Sequence, residues 1–339
     1  MKLIQNIYRR FLPEIAKSAI WVCRQNIDLM VEYIRDWRLF YTYSGFHPAR
    51  LDKDAILSNI MIDYHRLEKG LSLHHPRPGF GRDVALRLLT DLDLYLNQTS
   101  PDFVVEDALS SIGTFIAFQN RHGTLVPEIG TAYEALRKRV GTVDSTDYGA
   151  AIEDASRSQI QQAIQFDYRR FLHARHSVRC FSDEPVSKAL LVKAVEWAQT
   201  APSVCNRQAG RVHIILDPAR VSRVAILQKG GVSFKDSIGA MLVVTVDLKR
   251  FVSVGERNQM WVDGGIFLMN LLLSLHAAGL GACCLNWCSG RETDRALRQE
   301  LHLPDQELVI ALIAVGNLKD QFQVAKASRL PVNEIIRFY

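Results

Sequence analysis

The chain lacks any apolar run approaching the roughly 20 residues a helix needs to span a bilayer, so no membrane-spanning helix is expected. Its start lacks the uninterrupted apolar core of a secretory signal, because Arg9, Arg10, Glu14 and Lys17 break it up. With no export signal, the expectation is a cytoplasmic protein with reduced thiols. Cysteines are few: Cys23, Cys180, Cys205, Cys283, Cys284 and Cys288. They form neither the framework of a small secreted scaffold nor the paired Cys-x-x-Cys and His spacing of a zinc site, so no metal is expected. There is no P-loop. Gly279-Leu-Gly-Ala-Cys-Cys284 imitates the start of a dinucleotide-binding turn, but Cys replaces the third glycine, and a helix precedes it where a strand should. Low-complexity tracts and solenoid repeats are also missing.

What is present is an ordinary globular composition over 339 residues, 48% apolar and 23% charged. That length predicts two domains or one domain with a large extension. The net charge is +5, and residues 1–50 alone carry eight Lys or Arg against four Asp or Glu. The basic character is therefore N-terminal. It fits a solvated helix face, or contact with an anionic lipid surface or acidic partner. No aromatic-basic patch accompanies it, so nucleic acid is not expected as a partner.

The spacing of Ile4, Ile7, Tyr8, Phe11, Trp21, Ile27, Val31 and Ile34 predicts helix over 1–45, amphipathic over 4–22. A break follows at Gly45-Phe-His-Pro48. Asp52 is a plausible N-cap for a helix over 52–67, and helical patterns return at 82–97, 104–120 and 128–139. The polar stretch 141–149 reads as a linker. Residues 1–150 thus form a mostly α-helical N-terminal module. Beyond it, helix 187–200, strand 212–216, strand 240–246, apolar helix 263–278, strand 282–287, helix to 301 and strand 309–315 alternate. Ser289-x-x-Glu292 reads as a capping box, and Gly316 closes the last strand. Such alternation predicts an α/β or α+β domain with a covered sheet.

Three segments carry chemistry in combination. Arg175-His-Ser-Val-Arg179 offers two forked guanidinium groups and a hydroxyl, suited to phosphate. Alone, such a segment most often faces solvent. Ala201-Pro-Ser-Val-Cys-Asn206, followed by Gln208, sets short polar groups on a loop able to hydrogen-bond a flat heterocycle. Ser328-Arg-Leu-Pro331 supplies one more Arg near the C-terminus.

Taken in order, with the apolar helix ending Gly-Leu-Gly-Ala-Cys and the strand ending Val-Gly between them, these motifs closely resemble the nitroreductase family of FMN enzymes. The resemblance covers about residues 170–335 and implies an FMN-binding domain over 165–339. Its expected fold is α+β, a nitroreductase-like mixed sheet covered by helices. The resemblance assigns Arg175, Ser177 and Arg179 to the phosphate, ribityl chain and pyrimidine end, and His176 to a backbone contact. It assigns Pro202, Ser203 and Asn206 to the flavin of the partner subunit, and Arg329 to the phosphate. Cys284, Leu285 and Asn286 fall beside the flavin N5, so hydride chemistry is expected near Leu285 and Asn286. NADH or NADPH would be a transient donor. Where relatives carry a basic residue two before the last Arg, this chain has Ala327, with Lys326 one further back. A mid-domain Lys, Asn or Gln contact is left among Gln228, Lys229 and Lys235.

The reading is an FMN-dependent NAD(P)H oxidoreductase acting on a small electron-poor or conjugated molecule. A homodimer is expected, because helix 263–278 is apolar all round and needs cover. The N-terminal half, with His65-Arg-Leu-Glu-Lys-Gly-Leu-Ser72, is similar to extensions on nitroreductase-like proteins of bacterial surface-polysaccharide gene clusters. This leaves a second reading, a non-catalytic flavin-binding module docked on polysaccharide machinery at a membrane. His65, Glu68 and Lys69 read as a salt-bridge cluster rather than an acid/base group. The cysteines near the motifs read as buried packing residues.

Overall fold

The computed structural model describes residues 14–46, 52–141 and 151–339. The predicted helical segment before residue 14 and the predicted linker fall on or run into residues outside that set. Helix α1 spans Glu14–Tyr43, and α2 spans Lys53–Leu71 behind Asp52, whose carboxylate accepts from the Ala55 N–H at 2.9 Å. Helices α3 (Arg82–Leu96), α4 (Phe103–Arg121) and α5 (Pro127–Val140) complete the first half. Apolar residues at helical spacing bring Ile60, Leu67, Leu88, Leu92, Leu109 and Phe115 into one core, all fully buried. Each contributes about 1.5–3 kcal/mol by leaving water.

Short helices α6 (Arg157–Ala163) and α7 (Tyr168–Ala174) lead into the second half. There α8 (Lys188–Ala198), β1 (Gly210–Ile215), α9 (Pro218–Gln228), β2 (Ala240–Asp247), α10 (Gln259–Ala277), β3 (Leu280–Asn286), α11 (Arg291–Leu301) and β4 (Glu307–Asn317) follow. The sheet order is β1-β2-β4-β3 with every neighbour antiparallel. Its one parallel element is the bridge between Ser177 and Ala282 on the outer side of β3. Residues alternate across the pleat. Met241, Val243 and Leu312 face α9 and α11, while Leu242, Val244 and Ile313 face α8 and α10. Both faces are covered, so β2 is buried along its whole length. The expected α+β fold is what the chain adopts.

Several expectations change. The capping box does not form: Gly290 is the N-cap of α11 with no side-chain bond, leaving Ser289 one position too early. Strand β4 continues through Gly316 to Asn317. Glycine there serves packing, since a Cβ would lie 2.5 Å from Phe181. Helix α10 begins four residues before its predicted start and, at 19 residues, is long and apolar enough by composition to cross a bilayer. In the fold its Leu271 and Leu275 pack on the sheet, while Trp261, Val262, Ile266 and Met269 remain exposed.

Candidate functional site

Phe181 explains how the first motif is held. Its ring is fully buried against Gly281 and Gly316, and its backbone bridges Leu318. Upstream, the Val178 N–H donates to Ala282 O at 3.0 Å; downstream, the Ser182 N–H donates to Asn317 O at 2.9 Å. Residues 177–182 are thereby stitched to the free edge of β3 and the end of β4. This lays Arg175, His176 and Ser177 beside Leu280, Gly281 and Ala282 of β3, the strand that goes on to Cys284, Leu285 and Asn286, with Arg179 two residues after Ser177. Among the described residues neither Arg175 nor Arg179 pairs with a carboxylate, and the Arg179 guanidinium donates to Ser177 O at 3.3 Å. Arginines with spare donors beside a hydroxyl fit an anionic phosphate.

The end of β3 is braced from two sides. Gln228 Nε2 donates to Asn286 O at 3.0 Å, and its Oε1 accepts from the Gly231 N–H at 2.9 Å. Of the three alternatives left by sequence, Gln228 is the one bonded there; Lys235 instead pairs with Asp236. Just beyond, Trp287 Nε1 donates to Asp294 at 3.0 Å. Asp294 also receives Arg298 at 2.9 Å and Arg35 from α1. Desolvation opposes its ionisation, but the bonds from Trp287 and Arg298 and the nearby Arg35 charge outweigh this, and its pKa falls below the ordinary value.

The cysteine expectation holds only for Cys283, which is buried; Cys205 is half-buried, and Cys180 and Cys284 are exposed. Position 284 alternates away from the core on an edge strand. Desolvation raises both the Cys283 and Cys284 thiols, with Arg179 and Arg175 respectively pulling the other way. Neither is poised as a thiolate at neutral pH.

The second motif lies elsewhere. Residues Cys205, Asn206 and Gln208 all have positive φ, at 47°, 50° and 49°. Asn tolerates this conformation; for the others it costs of order 1–3 kcal/mol each. The loop persists because its surroundings over-determine it. Val204 N–H donates to Asp263 at 3.1 Å and Gln208 N–H to Ser203 Oγ at 2.9 Å. Fully buried Arg207 forks onto Glu256 at 2.5 and 3.2 Å and donates to Val204 O at 3.1 Å. Sequence reading passed over Arg207, Asp263 and Glu256, although Arg207 stands between two motif residues. Pro202 and Ser203 open onto a cavity of about 600 Å³, walled across the seam by Leu57, Met61 and Phe103 of the helical half.

The two motifs are on opposite edges of the sheet. The loop feeds β1, while the Arg175 segment lies outside β3, so four strand spacings, roughly 19 Å, separate them. Arg329 lies in an exposed C-terminal tail and bonds Ala327 O, and among the described residues no hydrogen bond ties it to either motif. That tail also exposes Leu330, Val332, Ile335 and Phe338.

His276 of α10 sits under the first motif, its Nε2–H donating to Phe171 O at 3.1 Å. Desolvation lowers its pKa from 6.5, and the Arg175 and His176 charges add to this against the Phe171 bond. The folded state therefore favours neutral imidazole. Its contribution is complete above pH 6.5 and shrinks as pH falls below that value. Urea midpoints should drop between about pH 7.5 and about pH 5.5, and the drop should flatten in His276→Gln. An equal slope in that variant would assign the loss to another group.

The His65 Nδ1 and Glu68 Oε2 atoms are 3.0 Å apart, and desolvation raises the Glu68 carboxyl despite that contact. This pair lies on α2, about one turn beyond Met61, which lines the cavity at Ser203.

Residues 172–225 and 218–317 match the model of the Nitroreductase family, so this chain is similar to that family over this stretch. Among curated proteins, an NADH dehydrogenase of Thermus thermophilus is 27% identical over 195 residues, covering 48% of this chain and 91% of that protein. An NAD(P)H-linked FMN reductase of Bacillus subtilis is 27% identical over 175 residues, 46% of this chain and 66% of its own. A nitroreductase family structure from Streptococcus pneumoniae superposes with a TM-score of 0.45 at 20% identity, over 51% of this chain and 100% of that one.

Proposed function

We propose that this protein is an FMN-dependent NAD(P)H oxidoreductase working as a homodimer on a small electron-poor or conjugated acceptor. The observation that carries the reading is the array of Arg175, Ser177 and Arg179, without carboxylate partners among the described residues, stitched to the edge of β3 at Ala282, two residues before Cys284. FMN, when bound, supplies the redox chemistry. The residues' part is to bind and orient. Arg175, Arg179 and Arg329 offer charge-assisted donors to a phosphate, and Ser177 adds a hydroxyl. Gln228 holds the Asn286 carbonyl, which keeps the backbone of Leu285 and Asn286 rigid beside the reactive edge. Pro202, Ser203 and Asn206 serve the site of the partner subunit. Their separation from Arg175 across the sheet supports this division, as do the exposed apolar side of α10 and the apolar tail around Leu330, both of which want cover.

The cavity at Ser203 gives an acceptor room, and its Leu57, Met61 and Phe103 wall favours a flat apolar body. Nothing in the proposal needs a dedicated side-chain acid, because solvent can deliver the proton. The test is an absorption spectrum of the purified protein followed by anaerobic titration with NADH and with NADPH. Flavin bands that bleach with either donor are expected. Colourless protein that refuses added FMN would overturn the reading in favour of a docking module without turnover.

A further inference from the structure

Helix α1 carries a seam that the described residues leave largely exposed. Ile20, Ile27, Ile34 and Tyr41 recur every seventh residue, with Cys23, Met30 and Trp37 three positions after the first three of them. These are the a and d positions of a heptad repeat, sustained over about three heptads. The six apolar members are each between 39% and 60% exposed, and Cys23 is exposed as well. The opposite side of the helix is the one that packs on the redox domain: Arg35 bonds Asp294, Glu32 meets Arg291 at 3.3 Å, and half-buried Leu39 packs on the core around Phe251. Residues 18–30 touch little of the chain, so about four turns stand clear with an apolar stripe along them.

We propose that this seam pairs with the α1 of a second copy in a parallel, two-stranded coiled coil. A heptad seam is self-complementary, and β-branched Ile at successive a positions favours two strands. The flanking charges choose the direction. The e positions hold Arg24, Val31 and Arg38, while the g positions hold Ala19, Asn26, Tyr33 and, where the helix meets the redox domain, the buried Phe40. Antiparallel helices would set e against e, arginine beside arginine. Parallel helices set e against g, so Arg24 meets Ala19, and Arg38 meets the Tyr33 ring, a favourable cation–π partner. A parallel pair also lies along a two-fold axis, the symmetry a homodimer of the redox domain would have. The inference goes beyond flavin chemistry and does not depend on it.

In the parallel register Cys23 faces Cys23 of the other copy at a d position, within disulfide reach. The full-length protein is oxidised with diamide, which takes two hydrogens as the two thiols join, and is run on a non-reducing gel beside its mass in solution. A linked dimer is expected in the wild type, absent from Cys23→Ser and lost in Ile27→Asp/Ile34→Asp, whose changes are on the exposed seam and spare the core. A protein dimeric by mass yet unlinked at Cys23 would overturn the coiled coil while leaving the redox-domain dimer standing. A linked band that persists in Cys23→Ser would overturn it too. So would Trp37-dependent sedimentation with phosphatidylglycerol vesicles in place of linkage, since the seam would then be a lipid-facing stripe.

Discussion

Replacing Arg175 and Arg329 together with alanine is expected to strip the protein of FMN. Each guanidinium is assigned a charge-assisted bond to phosphate, worth about 1.5–3 kcal/mol. Losing both weakens binding by about 3–6 kcal/mol, roughly a hundredfold to ten-thousandfold or more in Kd. Titration of the apoprotein with FMN, followed by flavin fluorescence, reads this directly. Fold integrity should survive, since Arg329 is exposed and Arg175 joins no ion pair among the described residues. Unchanged flavin occupancy in the double variant would refute the assignment of this segment. The single variants add position: full retention in Arg329→Ala alone would mean the tail never reaches the site.

The largest stability effect is expected at Arg207. The side chain is buried and forked onto Glu256, so Arg207→Met leaves a mostly buried carboxylate without its partner. Breaking one side of such a pair costs about 3–5 kcal/mol. Denaturant unfolding should show it as a lower midpoint. Arg207→Met/Glu256→Gln should recover part of the loss, because no uncompensated charge then remains inside. A loss below about 1 kcal/mol in the single variant would mean that water reaches Glu256 freely. The loop that Arg207 supports holds three left-handed residues, and slackening it should also release Ser203 and Asn206 from their places.

Helices and strands were legible in the sequence wherever the signal is local. Asp52 caps where a carboxylate at that position should, and β2 is as buried as its run of β-branched residues implies. The failures involve partners distant in sequence. Ser289 and Glu292 have the spacing of a capping box, but the chain entering α11 places Gly290 at the cap. Gly316 reads as a stop, yet it is a notch for Phe181, more than a hundred residues earlier in the chain. The order of motifs suggested both halves of the candidate site. It could not show that one chain sets them on opposite edges of a sheet, which only the strand order reveals. Arg207 was overlooked for a related reason: its importance comes from Glu256, across a stretch with no pattern linking the two.

The opposite-edge arrangement has a genetic consequence. If each flavin is held by Arg175 of one subunit and Ser203 of the other, every subunit owns half of two sites. A chain crippled at Arg175 and a chain crippled in the Ser203 loop would each be dead as a homodimer. Mixed together, they form a hybrid in which one site gathers both defects and the other gathers none. Two null alleles of such a protein would complement each other, and a mixed population would regain activity from its hybrids alone. A protein that kept its whole site on one edge would show nothing of the kind.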